Sequence, residues 1–252
     1  MNSMKRVLTG MLTMGVAILP TSIQAEGLDW ISDGEAFESE ITVIGGWDSM
    51  YLAEGRDDLD EGGLAYGEIS AAAGPFSLGT WYASATDVDY DEWNLFGELG
   101  LDLSDSLSSY VGYTFLTFYE ANDDSEDHEF GAGLSFAASD ALEITVDYVF
   151  SDEADGSFVE LGAASSKELS DSLDLRSYAV LGIDFGYRTE AYDGWNHFQL
   201  GIEIDYAMTD LVSIGGYVAH AIALDDIDKE ERTSGSEIGD NTAVGAYVQM
   251  SF

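Results

Sequence analysis

Carboxylates recur at alternate positions along several stretches of this sequence, and they are the side chains with the clearest chemical capacity. Residues 92–102, 142–151 and 197–206 each carry acidic residues on one alternating face and no charged residue on the other. Alternate residues of a β-strand point to the same side of its sheet. A water-filled passage lined by such carboxylates would attract cations and repel anions. The side chains expected to line it are Glu92, Glu98, Glu143, Asp147, Asp184, Glu203 and Asp205, with Arg176 as the single base, and Glu68, Glu129 and Glu160 are further candidates.

Metal binding is the next chemistry that the acidic residues suggest. Asp87, Asp89 and Asp91 have the spacing of a calcium-binding loop, and Glu98 falls where its bidentate ligand would stand. Glu92 occupies the position that such a loop reserves for glycine, which excludes an EF-hand. The sequence therefore predicts no metal site, no cofactor and no catalytic residues.

Charge and composition limit the class of protein. The 252 residues include 49 Asp and Glu against eight Lys and Arg, for a net charge of −41. Such a chain repels nucleic acid, because no basic cluster offsets the acidity. The hydrophobic fraction of 46% is too high for a disordered acidic chain, so the acid lies on an ordered fold. A salt-rich habitat is an alternative cause of the acidity, and the absence of cysteine rules out disulfides and thiol chemistry.

The first 25 residues are typical of a secretory signal peptide. Lys5 and Arg6 precede a short apolar run, and Ala25 provides a small residue at the expected cleavage point. The run is too short to span a bilayer as a helix, and no apolar run of spanning length occurs after Ala25. We expect residues 1–25 to be the signal peptide, residues 26–37 a periplasmic lead-in, and residues 38–252 one domain.

The rest of the chain alternates between strands and turns. Strands of ten to fourteen residues match the length that a tilted strand needs to cross a bilayer. Five short connections alternate with six loops that are mostly longer and more acidic, as an up-and-down barrel requires when both termini lie on one side. The short turns would face the periplasm. About twelve strands are expected, near residues 39–51, 62–74, 76–86, 90–102, 107–119, 128–138, 141–151, 157–167, 174–187, 194–207, 211–224 and 241–252.

The last strand alternates without a break. Val244, Val248 and Phe252 fall on an uncharged face, while Tyr247 and Gln249 fall on the other. In a closed barrel this strand would pair with the first and turn its apolar face to lipid. It resembles the closing strand of bacterial outer-membrane β-barrels, in which the terminal Phe is recognised by the barrel assembly machinery. The fold class predicted is thus all-β, a transmembrane up-and-down antiparallel barrel of about 12 strands.

A soluble barrel enclosing an apolar ligand is the alternative fold, with the apolar faces turned inward. Strand length, the terminal Phe and the alternation of turns favour the membrane. Aromatic residues near the strand ends are typical of interfacial belts. Those expected are Tyr51, Tyr82, Trp93, Tyr119, Tyr187 and Trp195 toward the loops, with Tyr206 and Phe252 toward the turns.

The histidines and the segment that follows the first strand bear on function. Some twelve-stranded outer-membrane barrels are lipid hydrolases that use Ser and His, but none of His128, His197 and His220 is followed two residues later by a serine. The segments 46–51, Gly-Trp-Asp-Ser-Met-Tyr, and 54–57, Glu-Gly-Arg-Asp, resemble the opening hairpin of TorF-type porins. That resemblance implies passive transport and supplies no catalytic residues.

The sequence therefore predicts an outer-membrane porin-like channel for small solutes that prefers cations, and not an enzyme. The alternative is a non-conducting structural or adhesive barrel with acidic surface loops. Expected partners are outer-membrane lipids and lipopolysaccharide, the barrel assembly machinery, and small solutes or cations. The acidic runs 57–61 and 123–127 could bridge divalent ions with lipopolysaccharide, although solvated loop tips are the favoured interpretation.

Overall fold

A computed structural model describes residues 39–59, 61–120, 124–188, 192–235 and 238–252. The predicted signal peptide and lead-in lie outside the described residues. None of the described helices is long and apolar enough to cross a membrane.

Twelve antiparallel strands close into one barrel, as predicted, and the first pairs with the last. Tyr, Val, Ile and Phe suit these strands because they pack well on a pleated surface. Closure is completed by Ile41 and Phe252, whose backbone N–H groups each donate to the other's carbonyl at 3.2 and 3.0 Å. The strands are β1 Ser39–Asp48, β4 Leu64–Ala73, β5 Phe76–Ala85, β6 Tyr90–Ser104, β7 Leu107–Glu120, β8 Asp124–Ser139, β9 Leu142–Ser151, β10 Gly156–Ser170, β11 Leu173–Phe185, β12 Asp193–Ala207, β13 Val212–Ala223 and β14 Asn241–Ser251, and two short strands, β2 Leu52–Ala53 and β3 Arg56–Asp57, lie between β1 and β4.

The two ends of the barrel differ. At the turn end, which carries both chain termini of the barrel, tight turns join β4 to β5 and the following alternate pairs. At the loop end, two connections contain structure that the sequence did not predict. The first holds the β2–β3 pair, and the last holds α1, Asp225–Ser234. Strand β8 also begins at Asp124, four residues before the predicted 128, so most of the acidic run 123–127 is strand.

The outer face of the barrel is apolar. Large hydrophobic side chains stand exposed along the strands, among them Ile202 at 52% and Val248 at 44%, whereas Tyr247 is buried inside. Exposure on this scale suits hydrocarbon as the surrounding solvent.

Two of the predicted belt residues are not on this outer face. Tyr82, Tyr119, Trp195 and Tyr206 are exposed on it. Tyr51 is buried, and the Tyr187 hydroxyl donates to the inward carboxylate of Glu129 on β8. The prediction was wrong for Tyr51 and Tyr187 because the chain turns inward at the end of its strand, so alternation no longer fixes the facing.

Tyrosine rings lie over glycines on the inner wall. Tyr110 pairs directly with Gly133, and its ring covers the space that a Cβ at position 133 would occupy. The missing side chain lets the ring lie flat against the wall instead of filling the interior. The same arrangement joins Tyr66 to Gly46, Tyr178 to Gly201, Tyr247 to Gly215 and Tyr217 to Gly245.

We expect Gly133→Ala to lower barrel stability by about 1–3 kcal/mol, because the new methyl would displace both the Tyr110 ring and the Asp147 carboxylate, 2.6 Å away. Gly131→Ala, on the same strand and face, is the matched control, since its nearest atom would be 3.7 Å away. The temperature at which the folded band is lost in a semi-native gel measures the difference. Equal temperatures for the two variants would contradict the packing described here.

Candidate functional site: the bore of the barrel

The acidic side chains predicted to share one surface all lie on the inward side of their strands. Glu92 and Asp184 are fully buried and Glu203 is 1% exposed. We call the interior of the barrel the bore. The carboxylates in its middle and at its turn end are half-buried. These are Glu98, Glu143, Asp147 and Asp205, and Arg176 is half-buried beside them.

Glu92 is saturated with hydrogen bonds. Its carboxylate accepts from the hydroxyls of Tyr51 at 2.8 Å and Tyr90 at 2.6 Å, and from the Asn94 amide at 2.7 Å. Donors of this kind stabilise a buried carboxylate that would otherwise be costly. Glu92 therefore serves packing at the loop end instead of lining an open path.

A second network joins carboxylates to the one basic residue that the sequence placed inside. The Tyr247 hydroxyl donates to Glu203 and to Asp205, each at 2.8 Å. Arg176 lies 3.6 Å from Glu203 and 5.3 Å from the centre of the Tyr178 ring. Arg176 offsets part of the negative charge on this side of the wall.

The remaining half-buried carboxylates are less constrained. Asp147 accepts from Tyr110 at 3.0 Å, and Glu143 accepts from Ser135. Glu98 makes no hydrogen bond to any other described residue. These three side chains give the middle and turn end of the bore its negative character.

Asp184 organises a loop. Its carboxylate accepts the backbone N–H groups of Tyr187 at 2.7 Å and Arg188 at 3.2 Å. It thereby fixes the start of the β11–β12 connection and directs Tyr187 and Arg188 inward.

The connection after β1 enters the bore. β2 and β3 form a two-residue hairpin, which we call the inserted hairpin, with Glu54 and Gly55 at its tip. Both tip residues have positive φ, 42° and 81°, as a type I′ turn requires. Gly55 lies against His197, where a Cβ would be 2.5 Å from the histidine Cβ.

The inserted hairpin reaches opposite walls of the barrel. On one side Tyr51, which leads into it, bonds Glu92 on β6. On the other side the Arg56 guanidinium donates to the Asn196 amide oxygen on β12 at 2.7 Å. β6 and β12 lie six places apart in the ring of twelve strands, so they face each other. The hairpin therefore crosses the bore at the loop end.

Apolar packing accompanies these polar contacts. Tyr51 lies 6.3 Å from Trp81 and 6.1 Å from Tyr90, measured between ring centres. Leu52, 3% exposed, packs among small inward residues of β13 and β14 that leave room for it: Ala219, Ala221 and Ala243, beside Tyr217.

Arg188, in the β11–β12 connection, binds the inserted hairpin and the residue that follows it. Its guanidinium pairs with Asp58 and lies 3.3 Å from the Glu54 carboxylate. Although burial opposes its charge, Asp58 and Glu54 raise the Arg188 pKa further above its usual range. Burial raises the pKa of Glu54 to about 7, a rise that Arg188 partly opposes.

α1 covers the other side of the hairpin. Arg56 lies 2.8 Å from Glu230 and 3.9 Å from Asp226, while Ile227 is fully buried beneath the helix. Burial, and then the neighbouring Asp184, raise the pKa of Asp226 to about 6.

Three expectations need correction here. Arg176 is not the single inward base, because Arg56 and Arg188 are also inside. Asp58 is not a solvated loop tip, because Arg188 binds it. Asp127 is a buried residue of β8 that accepts from Ser151 at 2.6 Å. In each case the partner is distant in sequence, and only the Gly-Arg pair in an otherwise acidic loop signalled an unusual segment.

The histidines do not form a hydrolase site. His128 bonds the Tyr113 hydroxyl at 2.7 Å and His220 bonds the Thr242 hydroxyl at 2.8 Å, both on the exposed face. His197 is buried and lies 3.0 Å from the Asn196 amide nitrogen. None of these hydrogen bonds within the described residues involves a serine.

Solved structures of similar shape include outer-membrane porins and channels. A KdgM porin matches with a TM-score of 0.54 at 12% identity, over 84% of this chain and 99% of that one. A NanC porin matches at 0.51 and 12%, over 83% and 98%. An outer-membrane channel of Pseudomonas putida F1 matches at 0.50 and 9%, over 87% and 99%.

No protein-family model and no curated protein matches this sequence. The similarity to these solved structures is one of fold, at 9–12% sequence identity. This chain therefore has the twelve-stranded barrel fold of bacterial outer-membrane porins.

Proposed function

We propose that this protein is an outer-membrane channel for passive diffusion of small solutes and that it prefers cations. The observation that carries the proposal is the acidic wall at the middle and turn end of the bore. There Glu98, Glu143 and Asp147 face inward with no basic partner among the described residues. Carboxylates in a narrow aqueous passage lower the energy of a cation and raise that of an anion.

The negative charge of the bore also limits which substrates of similar structures can be assigned to this protein. One of them is a KdgM porin in complex with disordered oligogalacturonate, a chain of acidic sugars. An acidic bore would repel such a chain. We therefore assign cationic and neutral solutes to this protein, and not acidic oligosaccharides.

Swelling of proteoliposomes tests the proposal. We expect lysine to enter faster than glutamate, which is of similar size, and we expect oligogalacturonate to be excluded. Faster entry of glutamate would contradict the acidic-wall argument.

We expect Glu98→Gln to lower the cation preference of the channel, because it removes a half-buried charge that no hydrogen bond holds. Asp91→Asn is the matched control, since Asp91 lies on the same strand but faces outward and bonds Tyr82. Zero-current potentials in a salt gradient measure both variants. An unchanged potential in Glu98→Gln would show that this side chain does not line the path.

The rival function is a non-conducting structural or adhesive barrel. The hairpin that crosses the bore favours it, because a filled loop end would block passage. Absence of swelling with every solute, in wild type and in a variant that lacks the hairpin, would support the rival.

Several finer assignments belong to the same proposal. The segments 46–51 and 54–57 support kinship with TorF-type porins, and residues 1–25 and 26–37 act as signal peptide and periplasmic lead-in. Phe252, 62% exposed at the turn end, is the recognition residue for the barrel assembly machinery. Lipopolysaccharide surrounds the loop end of the barrel.

A further inference from the structure

The inserted hairpin has a placement that an ordinary surface loop does not need. Tyr51, which leads into it, bonds β6, and its own Arg56 bonds β12, a strand that faces β6 across the bore. A segment that merely connected β1 to β4, which are neighbours in the sheet, could turn back at the rim.

The hairpin is held by charged and amide side chains, in addition to the packing of Leu52. Arg56 joins it to Asn196 and to Glu230 of α1, and Arg188 joins it to Glu54 and Asp58. The described part of the hairpin makes no ladder pairing with the barrel strands. An element that has no strand pairing to the barrel can leave without breaking it, since every pair of barrel strands persists.

Burial at the tip points the same way. Glu54 carries a buried carboxylate, 7% exposed, against Arg188. The cost of burying this carboxylate is relieved when the hairpin leaves the bore.

We infer that the inserted hairpin is the constriction of this channel, docked across the bore by Arg56 and Arg188, and that its release opens the loop end. This inference rests on the proposed channel function. It assigns control of conductance to the hairpin and leaves ion preference to the wall carboxylates.

The test compares three proteins in planar lipid bilayers. One is the wild-type chain. The second replaces residues 52–57 with three glycines. The third carries Leu52→Cys and Ala243→Cys, two positions of one packed cluster in a chain that has no other cysteine. Oxidation would lock the hairpin in place, and reduction would release it.

We expect wild type to conduct in brief openings, the glycine variant to conduct severalfold more and steadily, and the double-cysteine variant to close on oxidation and recover on reduction. The double-cysteine comparison keeps the whole hairpin, so it decides the matter even if the glycine variant does not fold.

Two other results would overturn the inference in different ways. Equal conductance with and without the hairpin, or an oxidised variant that conducts like the reduced one, would show that the hairpin is not the constriction, although the protein would still be a channel. Folded barrels that conduct in no form would remove the channel itself.

Discussion

Arg56→Ala is expected to undock the inserted hairpin and loosen α1. Arg56 is 5% exposed and is the cation that holds Asn196, Glu230 and Asp226 together. Removing one partner of a buried charged pair costs about 3–5 kcal/mol, because the other charge is left uncompensated. The β-barrel itself should remain folded, since Arg56 takes part in none of its strand pairs.

Thiol labelling measures this undocking. Ala53→Cys introduces a thiol at a position that is 2% exposed when the hairpin is docked. In the Arg56→Ala background its reaction with a charged maleimide should be faster by about a hundredfold, the factor that corresponds to roughly 3 kcal/mol.

Arg232→Ala is the matched control. Arg232 is also paired with an acid of α1, Asp228, but its side chain is 74% exposed. Exposed pairs one helical turn apart contribute roughly 0.3–0.5 kcal/mol, so labelling should hardly change. Equal acceleration by the two substitutions would mean that Arg56 does not hold the hairpin.

The second large effect expected is a pH dependence of opening. In the docked hairpin burial raises the pKa of Glu54 from an ordinary 4.5 to about 7. Between the ordinary and the raised pKa values the docked state binds protons that the released state does not. Docking is therefore strongest in acid and weakens as pH rises through 7.

The size of this effect follows from the shift at Glu54. Each pKa unit corresponds to about 1.4 kcal/mol, so the rise at Glu54 makes docking weaker by roughly 3 kcal/mol at pH 8 than in acid. Arg188 and Arg56 favour the charged carboxylate, while Asp58 and Glu92 oppose it. Asp226 belongs to α1, and Arg56 lowers its pKa, so the loss of Arg56 on release does not add to the effect.

Single-channel recordings at pH 5 and pH 8 measure the dependence. Wild type should spend more time open at pH 8. The variant Glu54→Gln keeps every wall carboxylate and should lose most of the dependence. A wild-type channel that opens equally at both values, or a Glu54→Gln variant that keeps the full response, would show that Glu54 does not control docking.

The barrel was predictable because its signal is local. Alternation alone predicts which way the side chains of Val244, Tyr247 and Val248 point. The lengths of the strands and the spacing of the turns predict the number of strands. Pairing neighbour to neighbour then leaves little choice of topology. The inward acidic residues follow from the same alternation.

The filling of the bore was not predictable because its contacts are distant in sequence. Arg56 and Asn196 are 140 positions apart, and Arg188 and Asp58 are 130 apart. The alternation of apolar and polar residues around these positions gives no sign that the paired residues are in contact. Tyr51 shows the limit most clearly, since it follows β1 by three residues yet turns into the bore where alternation and composition suggested an outward belt.

The zero-current potential of the glycine-hairpin variant in a tenfold gradient of potassium chloride tests the central claim most directly. With the loop end open, the acidic wall alone decides which ion passes. We predict a potential of the sign for cation preference, approaching the ideal limit of about 59 mV for a singly charged ion. A potential near zero or of the opposite sign, from a folded and conducting barrel, would contradict the account.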